Sequence, residues 1–308
     1  MPRIAWAISL STLAGGVACS LSLDADRVQC KRQEDCSGHG LDARAICIAG
    51  VCSEPAVVVE IDAGDAEAPD ARTEDPVWGC LDDLPPAIEP DPTVPVRSLA
   101  RFYAILNSTP LAGLPVKACL PTDLTCAEPL GASVTGANGF VAFDLYHGFT
   151  GYLDISPSAE EPDIMPSVFY VQPIPDKNVP ASEERPPGAN LVKHSEFAFL
   201  SGSVGKEVKQ EYGHLLFGAL NCQSAFVANT IGRAEPISVD TFTIYTDAAG
   251  TPSLTAGKTT DSGQGGYINL PPGMVTVTLN RDDGRRIATR EVLIRKGSIT
   301  YALIGPRR

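Results

Sequence analysis

Four histidines and nine cysteines are the residues of this chain whose chemistry depends most on spacing. The histidines, His39, His147, His194 and His214, fall in four different regions. None stands at a metal-binding interval from another histidine or from a carboxylate. His147 sits beside Gly148 in a turn and reads as a solvated loop residue. His214 sits in an apolar run and reads as a core hydrogen-bonding group. No Gly-x-Ser-x-Gly elbow, His-Glu-x-x-His pair or phosphate loop occurs. Gly263-Gln-Gly-Gly266 is glycine-rich, but it reads as a β-turn with no helix after it. The expectation is no catalytic residue, no metal and no cofactor.

The cysteines carry more information. Cys30, Cys36, Cys47 and Cys52 fall within 23 residues of polar, glycine-containing sequence. So short a segment cannot bury a core of its own. In an oxidising compartment they are expected to form two disulfides among themselves, with three connectivities open. Zinc with His39 as a spare ligand is the alternative, and the spacing only half matches zinc knuckles. Cys119 and Cys126 are near enough in sequence to bridge, pinning residues 121–128 as a loop. Once these local pairs are assigned, Cys80 and Cys222 remain and are expected to bridge.

The compartment follows from the first residues. Arg3 opens a positive n-region, residues 4–14 are mostly apolar, and Gly16-Val-Ala18 precedes Cys19. Residues 1–18 therefore read as a secretory signal, too short for a span of roughly 20 residues. Gly16-Val-Ala18-Cys19 looks like a bacterial lipobox, with Gly16 where that pattern prefers Leu. The same residues also suit ordinary signal peptidase. Cysteine parity favours the lipobox: nine is odd, and lipidation of Cys19 leaves eight to pair. Resemblance to bacterial lipoproteins implies a diacylated Cys19, a membrane partner through the lipid, and the outer membrane, since Ser20 follows. Plain secretion is the alternative, and Asn107-Ser-Thr109 would be a glycosylation acceptor in a eukaryotic secreted chain. The module at 30–52 is similar to small cysteine-rich knots near the N-terminus of such lipoproteins.

Charge is local. The formal net charge is −13. Between Ser53 and Pro92 stand twelve acids and a single base, Arg72, so this segment carries nearly all of it. It reads as a solvated, self-repelling spacer. Calcium loops space their acids differently. With no basic stripe interleaved with aromatics, a nucleic-acid partner is not expected.

Gly and Pro are frequent and aromatics few, as in chains of short strands and turns. After a tether at 19–29, the knot at 30–52 and a disordered acidic linker at 53–77, strands are expected over 96–106 and 113–120, in the alternating run after Gly139, and in the short apolar run between Gly148 and Ile155. Asn138-Gly139 and His147-Gly148 supply turns. Residues 165–173 read as a last long strand, and 176–190 as a proline-rich loop. Ser195 reads as the cap of a short helix ending at Gly202 or Gly205. Later strands are expected at 213–222, 242–245, 267–270, 275–279, 290–295 and 298–304. Trp78 reads as a packing plug.

Gly113-Leu-Pro-Val116, Gly136-Ala-Asn-Gly-Phe-Val-Ala-Phe143, Gly148 and Gly151-Tyr-Leu153 resemble carboxypeptidase regulatory-like domains, which are transthyretin-like sandwiches. Asp261, and Asn269-Leu-Pro-Pro-Gly273 read as a hairpin, match that pattern more closely in a second copy. The resemblance implies an all-β chain: a first sandwich over 78–190, a helix and linker over 191–212, and a second sandwich over 213–308. It also implies non-catalytic, structural or adhesive modules. The expected function is a monomeric cell-surface lipoprotein acting as a structural, adhesive or interaction module. The alternative is a carbohydrate- or protein-binding accessory module, contacting its ligand through Tyr146, Phe149 and Tyr152.

Overall fold

A computed structural model describes residues 46–48, 51–53, 75, 77–84, 86–172, 188–203, 205–247 and 251–306. The chain divides into two compact units, Met1–Ala71 and Arg72–Arg308. In the first unit, strands β1 (Ile46–Ile48) and β2 (Val51–Ser53) form an antiparallel hairpin with Cys47 directly opposite Cys52. Residues 1–45, with Cys19, Cys30 and Cys36 among them, and residues 54–74 of the acidic stretch lie outside the described residues.

The described residues of the second unit form strands, one α-helix and a single 3-10 turn at Gly79–Leu81. Its first half holds β3 (Asp91–Ala104), β4 (Pro115–Cys119), β5 (Gly131–Val134), β6 (Phe140–His147), β7 (Tyr152–Ile155), β8 (Ser167–Tyr170) and β9 (Gly188–Leu191). Helix α1 (His194–Ser203) follows. The second half holds β10 (Gly213–Ala219), β11 (Thr230–Glu235), β12 (Phe242–Thr246), β13 (Pro252–Ser253), β14 (Gln264–Leu270), β15 (Gly273–Arg281), β16 (Arg286–Ile294) and β17 (Ile299–Ile304). Among the described residues, no helix is long and apolar enough to cross a membrane.

The architecture is two β-sandwiches in tandem, and the two share a sheet. A nine-stranded sheet runs β13-β12-β14-β10-β17-β8-β7-β4-β5 through both halves. The join is the parallel pairing of β17 with β8. A three-stranded sheet, β6-β3-β9, forms the other layer of the first sandwich, and β11-β15-β16 that of the second.

Burial explains which strands sit where. Along β3, Val96, Ala100, Phe102 and Ala104 turn inward, as do Val141, Phe143 and Leu145 along β6. That period of two belongs to sheets with one covered face. The four residues of β8 and most of β10, β14 and β17 are buried on both faces, as central strands must be.

Two cores occupy opposite faces of the long sheet. One row of ladder partners reads Ile244, Gly266, Leu216, Tyr301, Phe169, Leu153, Ala118. Its first-half side chains belong to the core under β6-β3-β9. The adjacent row reads Tyr245, Gly265, Phe217, Ala302, Tyr170, Tyr152, Cys119, and packs in the core that β11-β15-β16 covers. Successive residues of one strand point to opposite faces, so each strand feeds both cores. Trp78 plugs the second core, with the Arg281 guanidinium 5.9 Å from its ring centroid.

Five local readings change. Over the described part of the stretch, 165–172, the strand is four residues long, because only Ser167–Tyr170 pairs with strands on both sides. Residues 188–190 belong to β9. Lys193, not Ser195, caps α1: its carbonyl accepts the Phe197 N–H at 2.8 Å, and Glu196 Oε2 accepts its own N–H at 2.9 Å. Ser195 instead donates to Asp163 Oδ2. Gly265 and Gly266 lie inside β14, where a Cβ on Gly265 would stand 2.6 Å from the Phe217 ring. Pro271-Pro272 switches the chain from the long sheet at β14 to the three-stranded sheet at β15, so β14 and β15 are no hairpin.

Candidate interaction groove

Among the described residues the layer β6-β3-β9 stops at β9, whereas the long sheet beneath it continues through β10, β14 and β12. The uncovered floor is a groove of about 590 Å³, within the ~300–1,000 Å³ of ordinary ligand sites. Leu216, Ile244 and Phe242 pave it, half-buried and packed against the first core. Gly266 lies between Leu216 and Ile244 in the ladder, and a Cβ there would meet the Leu215 carbonyl at 2.6 Å. The glycine therefore keeps the floor low.

One wall is Gly188, Ala189 and Asn190 of β9, with Tyr103, Ile105 and Phe197 beside them. Leu106 and Phe226 also line the groove; they are 61% and 49% exposed. Among the described residues, no charged side chain lines this groove. Burial pushes the Tyr301 phenol up, so it stays neutral at physiological pH. Asn190, Thr246 and Gln264 add neutral polar groups. The arrangement suits packing and hydrogen bonding.

No family model matches the chain, and no curated protein matches it. Among solved structures it is similar to the shaft pilin SpaA from Lactobacillus rhamnosus GG, at 12% identity over 70% of this chain and 98% of that one, with a TM-score of 0.24. It is also similar to the minor pilin GBS52 of Streptococcus agalactiae, at 11% identity over 69% and 96%, with a TM-score of 0.22. The Bacillus anthracis TIE protein gives 12% identity over 70% of this chain and a TM-score of 0.25, and the chain spans only 34% of it. At these scores the likeness carries no argument, and the groove is read from its own residues.

The aromatic contact surface at Tyr146, Phe149 and Tyr152 is corrected. Phe149 and Tyr152 are 1% and 0% exposed, in different cores. Tyr146 packs edge-on against Phe149, centroids 5.4 Å apart, on the first core. The three rings hold the fold and present no common face. Arg295, from the turn between β16 and β17, reinforces this region. It donates to the Tyr152 hydroxyl at 2.9 Å, to Asp154 Oδ1 at 2.8 Å and to the Leu124 carbonyl at 3.0 Å.

Cys119 and Cys126 are bonded, Cα atoms 5.4 Å apart, and Cys80 and Cys222 are bonded at 5.8 Å. Cys119, Cys126 and Asp154 place three ligand-type atoms within 4.8 Å of one another. The two sulfurs are spent on each other and Asp154 is paired with Arg295, so the cluster offers a metal little. His214, 1% exposed, accepts the Asn269 N–H at Nδ1 (3.3 Å) and packs against Phe197.

Sequence reasoning missed the groove because it missed β9. Gly188 and Asn190 have low strand propensity, and Pro186-Pro187 before them reads as loop. The one available signal was the alternation of Ala189 and Leu191 with those two residues.

Proposed function

We propose that this chain is an exported, lipid-anchored protein that binds a partner without catalysis, and that the groove over Leu216 and Ile244 is its working surface. The observation that carries the reading is an apolar, uncharged floor left open beside a finished sandwich. Solvent-exposed apolar surface of this kind marks interaction sites. The carboxypeptidase regulatory-like resemblance agrees with a non-catalytic module, and Cys19 would tether it to the outer membrane. A protein partner fits better than a carbohydrate. The rings that would have stacked on sugar are in the cores, and the groove offers few polar groups.

The test is photo-crosslinking in the native membrane, with a benzophenone amino acid at Ile244. Val134, 58% exposed on the far edge strand of the same sheet, is the control position. A discrete adduct at Ile244 and none at Val134 is expected. Equal labelling at both, or none at Ile244, removes the groove as the working surface. Intact mass of membrane-extracted protein tests the anchor separately. A chain beginning at a lipid-modified Cys19 is expected, and an unmodified soluble chain would contradict it.

A further inference from the structure

We propose that the groove takes an extended, uncharged peptide segment of a partner protein, added as a strand to the open edge of β9. The inference rests on the groove being the working surface and concerns how the partner is held.

The edge is defined by hydrogen-bond alternation. β9 pairs in parallel with β3, Gly188 opposite Arg101 and Leu191 opposite Ala104. The Leu191 carbonyl accepts the Ile105 N–H at 3.0 Å, so Leu191 and Ala189 direct their backbone groups to β3. Gly188 and Asn190, one residue out of phase, direct theirs to the groove. β9 ends its sheet, and among the described residues no strand pairs with that side at these two positions. Two residues on, the same side is used as a ladder: the Val192 carbonyl accepts the Met165 N–H at 3.0 Å.

The floor fixes what the segment must be. From β10 to β12 it spans two inter-strand steps, on the order of 10 Å, or one to two strands. A strand added to β9 would lie in the layer of β6-β3-β9 and extend it over Leu216 and Ile244. The groove is thus continuous with the interface between the layers of the first sandwich, since Leu216 and Ile244 share a ladder row with Tyr301 and Phe169. Its downward side chains must be apolar and its upward ones polar. Charges are disfavoured, because among the described residues no charged side chain lines the groove to pair with them. This is β-augmentation: backbone bonds hold the strand, and alternate side chains choose it.

The probe is an uncharged, fluorescently labelled peptide of alternating valine and threonine. It is titrated into the full chain by anisotropy, with amide hydrogen exchange read by NMR. Two further versions are N-methylated on either the valine or the threonine nitrogens. The expected result is saturable binding, at least tenfold slower exchange of the Asn190 amide, and at least a tenfold loss of affinity for one methylated version. No binding overturns the proposal. So does equal binding of all three peptides with unchanged Asn190 exchange, which means simple apolar partition. A free protein that is dimeric with Asn190 already protected also overturns it, since a second copy then fills the edge. Should the strand test fail while the Ile244 crosslink succeeds, the groove binds its partner some other way. Should the crosslink itself fail, the proposed function falls on its own account.

Discussion

Tyr301 lies directly across a parallel ladder from Phe169. Through that one pairing the last strand of the chain joins the first sandwich to the second. The row they belong to has two environments. Phe169 and Leu153 lie under the second layer, whereas Leu216 and Ile244 lie beyond its last strand. The groove is the unroofed end of a core.

The Cys80–Cys222 bond closes a loop across 142 residues. By chain entropy a crosslink of this span stabilises by about 4–5 kcal/mol. Urea unfolding of the Cys80→Ser/Cys222→Ser double variant should show a loss of that order. An unchanged midpoint would mean that the unfolded chain is already restrained there.

Gly265 stands where the Phe217 and Tyr245 rings cross, with centroids 6.3 Å apart. Gly265→Ala should cost about 1–3 kcal/mol by overpacking. A methyl group added at Gly257 would meet nothing within 4 Å, so Gly257→Ala should stay within ~0.5 kcal/mol. Thermal melts of the two variants decide it, and equal effects would refute the crowding at Gly265.

Burial lowers the His214 pKa to about 4 from 6.5. Below pH 6.5 the unfolded chain takes up this proton and the folded chain does not. Stability from His214 is therefore present above pH 6.5 and is lost progressively as pH falls towards 4. The total approaches about 3 kcal/mol at 1.36 kcal/mol per pKa unit. His214→Gln should flatten the pH 4–6.5 limb in urea titrations. An unaltered slope would assign that limb to the carboxylates.

How much of this was written in the sequence depends on the range of the interaction. The period of two in β3 and β6 is local, and both strands were legible. So was the turn at Asn138-Gly139, where Gly139 has φ +76° and a Cβ would meet the Phe102 carbonyl at 2.5 Å. Phe149 and Tyr152 looked like neighbours at a turn, yet they pack in opposite cores, which spacing across an irregular turn does not reveal. The pairing of β8 with β17 joins residues more than a hundred positions apart, and no local pattern encodes it. β9 was hidden by its own composition. Its strand character comes from β3 beside it, so the groove was hidden too.

On this reading the folded protein keeps an open apolar surface over Leu216 and Ile244. Nile red, a neutral dye that brightens in apolar surroundings, tests it in a single titration of the native chain and of Ile244→Lys. Saturable enhancement is expected with the native chain, at least tenfold weaker binding with Ile244→Lys, and similar melting temperatures for both. Equal binding by the two proteins, or none by the native chain, would contradict it.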